Sequence, residues 1–447
     1  MLKTVFYVCC FLFLNGCTSA HQKLIDQKPA FYAYIVGGVD SENASQEHNA
    51  DVYITPASCQ KTVTAVLAYK ALGDDYVYET KLAITKSGDA IVTFSGDPTL
   101  RSEDLLEMLA ALPRKYFNGK IIVDGSAFQT PPYSRNIIID DMATSYARPV
   151  AAVNIDGNLI TVTVTPGIFT QPATIENDGG YQIDNQVVTG EKSAIKLSWN
   201  KERIKVSGTI GITEQPLKLK MSPENLDDYI ANKLKKILKR AKLSAKVVIV
   251  KESHSADAQV VATHQSAPLN AIIPPALKIS DNFVFDALYL KIITRDSPTP
   301  ILKWEEGDAA IKALIKTHFN LDMDKALFVD GSGLSRYNRV QPRQLFKLLQ
   351  KAYAAKEFVG ALACTGEANT TLKNRTTLPS GIRAKTGTMS GINCLCGYNI
   401  GGYVPQAFVI GCHNFAPPLS DIHPILDGLI ADCFEWIHDS TKANLLL

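Results

Sequence analysis

The sequence predicts a mixed α/β (α+β) protein, and three observations support that class. Apolar residues recur at helical spacing in several segments along the chain. The segment 150–220 contains short alternating runs that Gly, Asn and Asp turns separate. A second strand-rich segment with Gly-rich turns spans 381–413. The length of 447 residues corresponds to about three domains at roughly 150 residues each.

Helices and strands are predicted in chain order from periodicity and from the turn residues that bound each segment. The first helix begins at Ser58, because Val63, Val66 and Leu67 recur at helical spacing, and Gly73 ends it. The predicted helices are 58–72, 102–118, 223–243, 281–294, 307–319, 342–354 and 419–438. The predicted strands lie within 75–95, 150–220, 246–250 and 381–413, and the stretch 252–267 is polar.

Composition and charge exclude several classes of protein. Apolar residues make up 46% and charged residues 20% of the chain, which is typical of a folded globular protein. Lys and Arg number 46 against 44 Asp and Glu, so the net charge of +2 argues against a nucleic-acid binder and an acidic disordered chain. The eight histidines show no metal-binding spacing. We therefore expect no metal, no cofactor and no nucleic-acid partner.

The N-terminus has the pattern of an export signal. An apolar run, Val5–Leu14, is too short to span a bilayer, which takes about 20 residues. The run ends in Leu14-Asn15-Gly16-Cys17, which resembles the lipobox of bacterial lipoproteins. The resemblance implies a signal peptide over 1–16 and a periplasmic protein anchored by lipidation of Cys17. Because Thr18 rather than Asp follows, the outer membrane is favoured over the inner. The alternative is an ordinary signal peptide cleaved near Ala20.

Beyond this segment the chain keeps six cysteines: Cys59, Cys364, Cys394, Cys396, Cys412 and Cys433. Export permits disulfides. Cys394 and Cys396 stand two apart on a predicted strand, so they point to the same face and are not expected to pair with each other. Buried thiols are the favoured interpretation, and a metal site is the alternative.

Ser58 and Lys61 form the first candidate catalytic motif. A spacing of three residues at the start of a helix places the two side chains one turn apart on the same face. The helix N-terminus favours a developing alkoxide, and a buried neutral amine can accept the hydroxyl proton. The same pattern occurs at Ser193–Lys196 and Ser198–Lys201, but strand-like sequence there would turn the two side chains to opposite faces.

Two further motifs carry polar groups suited to an active site. Ser280-Asp281-Asn282 offers a hydroxyl to relay a proton and a carboxamide to hold a substrate amide, although alone it would also fit a helix N-cap. Lys385-Thr386-Gly387-Thr388 lies on a predicted strand. Its cation can hold a carboxylate, and its glycine lets a substrate approach the backbone. Taken alone, this motif would also fit an exposed strand lysine.

Together the three motifs resemble those of the penicillin-recognising serine enzymes. Ser58 and Ser280 are 222 residues apart, and Ser280 and Lys385 are 105 apart. The long first interval is similar to that of the class C low-molecular-mass penicillin-binding proteins. This is the D-alanyl-D-alanine carboxypeptidase/endopeptidase family (peptidase family S13), in which extra domains are inserted between the first two motifs. Other segments similar to that family are Thr55-Pro56-Ala57-Ser58, Gly96-Asp97-Pro98-Thr99-Leu100, Asp124-Gly125-Ser126-Ala127-Phe128 and Asp330-Gly331-Ser332-Gly333-Leu334-Ser335.

The resemblance implies an architecture. A transpeptidase-like catalytic domain would comprise 17–85 and 266–447, with an antiparallel sheet flanked by helices. The inserted region would be 86–265, and it would include a nested β-rich domain at about 150–222.

The resemblance also implies catalytic roles. Ser58 would attack the carbonyl of the penultimate D-alanine, with Lys61 as general base. Backbone N–H groups of Ser58 and Thr388 would form the oxyanion hole. Ser280 would pass a proton to the leaving amine, and Asn282 would bind the peptide amide.

Substrate-binding roles follow in the same way. Lys385, with the hydroxyls of Thr386 and Thr388, would hold the terminal carboxylate beside Gly387. Asp141 and Tyr146 match a loop of the inserted region that reaches the active site in the family.

In that loop of the family, the acid receives the free amine of a diaminopimelate-type side chain. Ile137-Ile138-Ile139 replace the aromatic residues usual before that acid, and Asp140 is an alternative to Asp141.

The sequence therefore predicts a DD-carboxypeptidase, with DD-endopeptidase activity, that hydrolyses peptidoglycan stem peptides and cross-links through an acyl-enzyme on Ser58. β-Lactams would acylate the same serine. Two alternatives stay open: an enzyme whose main reaction is β-lactam hydrolysis, and a lipoprotein that binds peptidoglycan without catalysis. Rapid turnover of nitrocefin would indicate the first, and cellular function unchanged by Ser58→Ala the second.

Overall fold

The chain falls into two compact units. The computed structural model describes residues 29–112, 119–135, 137–250, 257–297, 300–416 and 418–445. Unit 1 comprises the chain up to Asp74, Leu269–Asp281 and Asp308 onward, and unit 2 comprises Asp75–Pro268 and Asn282–Gly307. The predicted signal peptide and Cys17 lie outside the described residues. The predicted domain boundaries at 85 and 266 differ from these divisions and stay predictions.

The secondary structure alternates between helical and strand-rich segments. The strands are β1 (Phe31–Gly38), β2 (Gln46–His48), β3 (Glu79–Thr85), β4 (Ala90–Thr93), β5 (Ile121–Asp124), β6 (Ile160–Thr165), β7 (Thr174–Asn177), β8 (Gln182–Gly190), β9 (Ala194–Asn200), β10 (Arg203–Gly211), β11 (Leu217–Met221), β12 (Val247–Val250), β13 (Ala258–Gln265), β14 (Ala363–Cys364), β15 (Ile382–Met389), β16 (Ile392–Asn399) and β17 (Gln406–His413). The helices are α1 (Gln60–Ala71), α2 (Ser102–Leu109), α3 (Leu226–Ala241), α4 (Leu269–Ile279), α5 (Asn282–Arg295), α6 (Gly307–Phe319), α7 (Pro342–Ala352), α8 (Lys356–Ala361) and α9 (Ile422–Leu445). Among the described residues, no helix combines the length and apolar character needed to cross a membrane.

Unit 1 is built on a six-stranded antiparallel sheet with the order β14-β15-β16-β17-β1-β2. Strand β1 pairs with β17 along its whole length, from Phe31 opposite His413 to Gly38 opposite Gln406. The sequence did not predict β1, because its six central residues are all buried and show no alternation. The first and last strands of the described residues are therefore neighbours in the sheet that carries the third motif.

Helices pack on both faces of this sheet. On one face, Leu395 and Phe408 pack in a cluster that includes Leu426 of α9. On the other face, the Tyr398 hydroxyl donates to the backbone oxygen of Leu349 in α7, at 2.7 Å. Residues Gln60–Ala68 of α1 are buried on every side of the helix. The helix that carries Lys61 thus lies inside unit 1.

The described part of unit 2 contains three smaller sheets. A five-stranded mixed sheet has the order β12-β5-β4-β3-β13, and two three-stranded sheets have the orders β8-β10-β9 and β11-β6-β7. The amphipathic helix α3 buries Tyr229, Ile230 and Leu234 in a core shared with Val162 of β6. On the same helix, Lys233 is buried and donates to two carboxylates, those of Asp156 and Asp178. Strands β6 to β11 all lie within the segment predicted to be β-rich.

Two elements were not predicted. The stretch 252–267 was described only as polar, but it contains β13, which pairs with β3 across a β-bulge at Val260/Ala262. Its polar composition fits the edge of a sheet, where one side is open to solvent. Helix α4 was not predicted, because Pro274 and Pro275 interrupt its pattern, yet both lie inside the helix. Helix α2 ends at Leu109, and part of its predicted extension, 113–118, lies outside the described residues.

Candidate active site

The candidate nucleophile Ser58 lies in a 3₁₀ turn, Ala57–Cys59, here called the nucleophile turn, which leads directly into α1. Ala57 is fully buried and has a φ of +48°, a left-handed conformation that costs energy for a residue with a Cβ. Ser58 itself is half-buried, between two buried neighbours. A strained turn therefore holds the serine at the N-terminal end of the helix.

Lys61 lies one helical turn beyond Ser58 and is fully buried. Its Nζ donates to Ser58 Oγ at 2.9 Å and to the backbone oxygen of Ser332 at 2.6 Å. The first of these contacts is the one that the three-residue spacing predicts. When the amine is neutral, the roles in this pair can reverse, so that Ser58 donates its proton to Lys61.

The segment Asp330–Ser335, here called the 330–335 loop, supplies the second acceptor of Lys61. The Asp330 carboxylate accepts from the backbone N–H groups of Gly333 (2.7 Å) and Ser335 (2.6 Å). Gly333 has a φ of +80° and lies so close to the nucleophile turn that a Cβ there would be 1.9 Å from the Ala57 oxygen. This segment was identified by its similarity to the family, but no role was assigned to it. The available signal was an acid followed at short spacing by glycines and serines, which is typical of a tight turn.

Lys385 of the third motif is buried on β15, with 1% of its surface exposed. The alternative of an exposed strand lysine is therefore wrong. Its Nζ donates to the backbone oxygen of Thr386 at 2.7 Å. Burial lowers the pKa of Lys385 to about 8. Thr386 is half-buried and Thr388 is exposed, so both residues are more accessible to solvent than Lys385.

Gly387 brings the third motif against the first. A Cβ at this position would lie 2.5 Å from the oxygen of Pro56 and 3.2 Å from the nitrogen of Ser58. The Cys59 thiol donates to the backbone oxygen of Lys385, at 3.3 Å. Strand β15 and the nucleophile turn are thus in backbone contact, at a distance that only glycine permits.

Ser280 of the second motif follows the C-terminus of α4. Its φ is +63°, and its N–H donates to the oxygen of Leu277, while the N–H of Asp281 donates to the oxygen of Ala276. These two bonds form a Schellman motif, in which glycine is the usual residue at the left-handed position. Ser280 therefore caps the end of one helix and is not the N-cap of the next, which begins at Asn282.

Asn282, Tyr146 and Asp141 form a connected group in unit 2. The Asn282 side-chain amide donates to the backbone oxygen of Tyr146 at 2.9 Å. The Tyr146 hydroxyl donates to Asp141 Oδ1 at 2.6 Å, and burial together with this bond raises the pKa of Tyr146. Asp140 and Ile139 beside them are exposed. Unit 2 thus brings together the three predicted residues that it contains.

Three of the six cysteines lie close to the nucleophile turn and β15. The Cys394 thiol donates to the backbone oxygen of Thr55 at 3.7 Å, and Cys396 lies opposite Lys385 on the adjacent strand. Burial raises the pKa of both thiols, so they stay protonated near neutral pH. All six cysteines are present as thiols, and no cluster of three or more metal-ligating side chains occurs in the described ranges. The interpretation as buried thiols is confirmed for Cys59, Cys394, Cys396, Cys412 and Cys433, whereas Cys364 is only partly buried.

The antiparallel sheet with helices on both faces and the Ser58–Lys61 pair are the arrangement expected of a serine hydrolase that has a lysine beside its nucleophile. Residues 19–413 match the family model of the D-Ala-D-Ala carboxypeptidase 3 (S13) family. The chain belongs to that family, as the three motifs and their spacing predicted.

Individual proteins resemble the chain over most of its length. The D-alanyl-D-alanine carboxypeptidase DacB of Haemophilus influenzae is 25% identical over 84% of this chain and 82% of its own. The D-alanyl-D-alanine carboxypeptidase of Actinomadura sp. (strain R39) is 26% identical over 88% and 81%. A crystal structure of penicillin binding protein 4 (dacB) from Haemophilus influenzae covers 92% of this chain and 98% of its own, with 23% identity and a TM-score of 0.79. The predicted fold class is confirmed.

We expect Gly387→Ala to destabilise the protein by about 1–3 kcal/mol, because the new methyl group would force β15 away from the nucleophile turn. Urea unfolding of the purified protein measures the effect. Gly360→Ala is the matched control, since that glycine is exposed on α8 with no atom within 4 Å of the added Cβ. Equal midpoints for the two variants would mean that the strand and the turn are not in tight contact.

Proposed function

We propose that this protein is a serine DD-carboxypeptidase, with DD-endopeptidase activity, that hydrolyses peptidoglycan peptides through an acyl-enzyme on Ser58. The observation that carries the proposal is the hydrogen bond between the buried Lys61 amine and Ser58 Oγ, beside the strand that bears Lys385. Membership of a family of D-Ala-D-Ala carboxypeptidases supports the reaction class.

In the acylation step, Ser58 Oγ attacks the carbonyl carbon of the penultimate D-alanine. Lys61 accepts the hydroxyl proton as the bond from oxygen to carbon forms. The amide C–N bond then breaks, and the proton that Lys61 accepted is relayed through Ser280 to the leaving nitrogen, which departs as an amine. That amine is a free D-alanine in the carboxypeptidase reaction, or the amine of a cross-linking side chain in the endopeptidase reaction.

Backbone N–H groups of Ser58 and Thr388 stabilise the negative oxygen of the tetrahedral intermediate in this mechanism. The contact between Gly387 and the nitrogen of Ser58 supports the assignment, because it places the two backbone segments side by side. One lost donor of this kind costs about 3 kcal/mol in the transition state. Water then attacks the ester, with Lys61 again as base, and releases the shortened peptide and Ser58.

Lys385 binds the terminal carboxylate of the substrate together with the hydroxyls of Thr386 and Thr388. The described structure supports this role through burial, because a charge removed from bulk water interacts more strongly with an incoming carboxylate. Asn282 holds the peptide amide. The carboxylate of a β-lactam would bind the same Lys385 amine. Ser58 would then attack the lactam carbonyl and become acylated.

Asp141 binds the free amine of the substrate side chain, with Tyr146 as its hydrogen-bonded support. The 2.6 Å bond from the Tyr146 hydroxyl fixes one carboxylate oxygen of Asp141. The link from Asn282 to the backbone of Tyr146 ties this acid to the residue that would hold the peptide amide. The geometry therefore favours Asp141 over Asp140, which is exposed.

The cellular location is part of the same proposal. The apolar segment Val5–Leu14 and the lipobox-like Leu14-Asn15-Gly16-Cys17 support export to the periplasm and a lipid anchor at Cys17, with Thr18 favouring the outer membrane. Such a location gives the enzyme access to peptidoglycan.

Globomycin, which blocks lipoprotein signal cleavage, should cause a larger precursor to accumulate.

Incubation with a fluorescent penicillin should add one adduct to the intact mass of the protein, because Lys61 activates Ser58 for acylation. Ser58→Ala should lose the adduct and the release of D-alanine from a D-Ala-D-Ala peptide. Ser193→Ala, in another Ser-x-x-Lys segment, should keep both. An adduct that survives in Ser58→Ala would contradict the mechanism, and rapid turnover of nitrocefin would identify a β-lactamase instead.

The second-order acylation constant should fall about tenfold per pH unit above pH 8, because Lys385 loses its proton there and can no longer attract a carboxylate. At pH values well below 8 the amine is charged, so this contribution is fully present. The Cys59 and Cys396 side chains face the amine and oppose the effect of burial on the pKa of Lys385 without reversing it. Lys385→Arg stays charged in this range and should abolish the fall despite a lower overall rate. A flat wild-type profile up to pH 10 would contradict the role.

Asp141→Asn should lower kcat/KM about tenfold for peptides with a free side-chain amine and leave peptides with an acetylated amine unchanged, because only the first class pairs with the carboxylate. D-Alanine release from the two matched peptides measures this ratio. Asp140→Asn is the control and should change neither substrate. A larger effect from Asp140→Asn would transfer the role to that residue.

A further inference from the structure

We propose that Asp330 is a positioning residue for the general base, because it fixes the backbone oxygen that orients Lys61. This inference rests on the proposed function, since it concerns the proton transfer from Ser58. Asp330 lies within the loop and acts through it, without touching the substrate.

Lys61 is oriented by a backbone oxygen of the loop. Its Nζ contacts Ser58 Oγ at 2.9 Å and the oxygen of Ser332 at 2.6 Å, so the place of the amine depends on the path of the 330–335 loop. The same helix reaches the loop once more, because the Thr64 hydroxyl donates to the oxygen of Gly331 at 2.8 Å. Two consecutive carbonyls of the loop therefore bind α1.

The Asp330 carboxylate holds the 330–335 loop together by hydrogen bonds. Its two carboxylate oxygens accept from the backbone N–H groups of Gly333 and Ser335 and from the side-chain amide of Asn338, at 2.6 to 2.9 Å. Asp330, Ser332, Ser335 and Asn338 are all fully buried. Donors of this number offset the cost of burying a carboxylate, and no neutral side chain of the same size accepts from all of them.

The position of the loop matters at the nucleophile as well. Gly333 contacts the carbonyl of Ala57, so a shift of the loop would move both the acceptor of Lys61 and the turn that carries Ser58. Burial raises the pKa of Asp330, while the N–H donors and the charge of Lys61 lower it. The Asp330 carboxylate is thus close enough to the Lys61 amine for the two charges to interact.

The test compares Asp330→Asn with Asp427→Asn. Asp427 is another buried carboxylate of unit 1 and pairs with Arg375, so its loss also removes a buried charge. Stopped-flow acylation by a fluorescent penicillin separates the rate constant at saturation from the apparent dissociation constant. A misplacement of about 1 Å in a catalytic group costs on the order of a hundredfold in rate. We expect a loss of about ten- to a hundredfold in the saturated rate for Asp330→Asn, with an apparent dissociation constant within about twofold of wild type.

Asp427→Asn should lower the midpoint of urea unfolding and keep the saturated rate. A wild-type rate for Asp330→Asn, or losses of equal size in the two variants, would overturn the inference. If Asp330→Asn does not fold, Asn338→Ala is the deciding variant, because it removes one donor to Asp330. A saturated rate that falls by less than is expected for Asp330→Asn supports the inference. An unchanged rate overturns it. A wild-type protein that no penicillin acylates would overturn the proposed function, and this inference with it.

Discussion

Backbone contact on two sides of the nucleophile turn is the constraint on which the active-site geometry depends. Gly387 meets the turn from β15, and Gly333 meets it from the 330–335 loop. Neither contact has room for a Cβ, and Ala57 between them keeps a left-handed φ. Packing from both sides holds a conformation that would relax in isolation. Contacts of the main chain therefore fix the positions of the reactive side chains in the site.

Charge is distributed unevenly around this framework. The Lys61 and Lys385 amines and the Asp330 carboxylate are all buried, each with hydrogen-bond partners from the backbone. Asp141 and Tyr146 in unit 2 are more accessible to water. In the proposed mechanism the buried amines act on the reacting bond and the terminal carboxylate. Asp141, which is accessible to water, selects the side chain of the substrate. Each substrate must displace solvent from this carboxylate.

Parts of this picture follow from sequence, and others do not. The spacing of Ser58 and Lys61 predicted their contact, because helical geometry is local and regular. The burial of Lys385 could not be predicted, since strand alternation assigns a face without saying what covers it. Strand β1 was missed because residues buried on both faces lose their period, and α4 was missed because its two prolines are typical of a break. The role proposed for Asp330 depends on a carbonyl contact across 271 residues, for which periodicity has no signal.

The pairing of β1 with β17 has a consequence for how the chain acquires its structure. The strand that pairs with β1 along its whole length is β17 (Gln406–His413), the last of the described strands to be synthesised. Until that strand emerges, an apolar segment near the start of the chain has no partner on its β17 side and can associate with other molecules. Closure over so long a separation is slow. A chain exported N-terminus first would therefore need protection of this segment during transit. Truncation before residue 406 would leave β1 with an unpaired, aggregation-prone edge and would not produce a shorter enzyme.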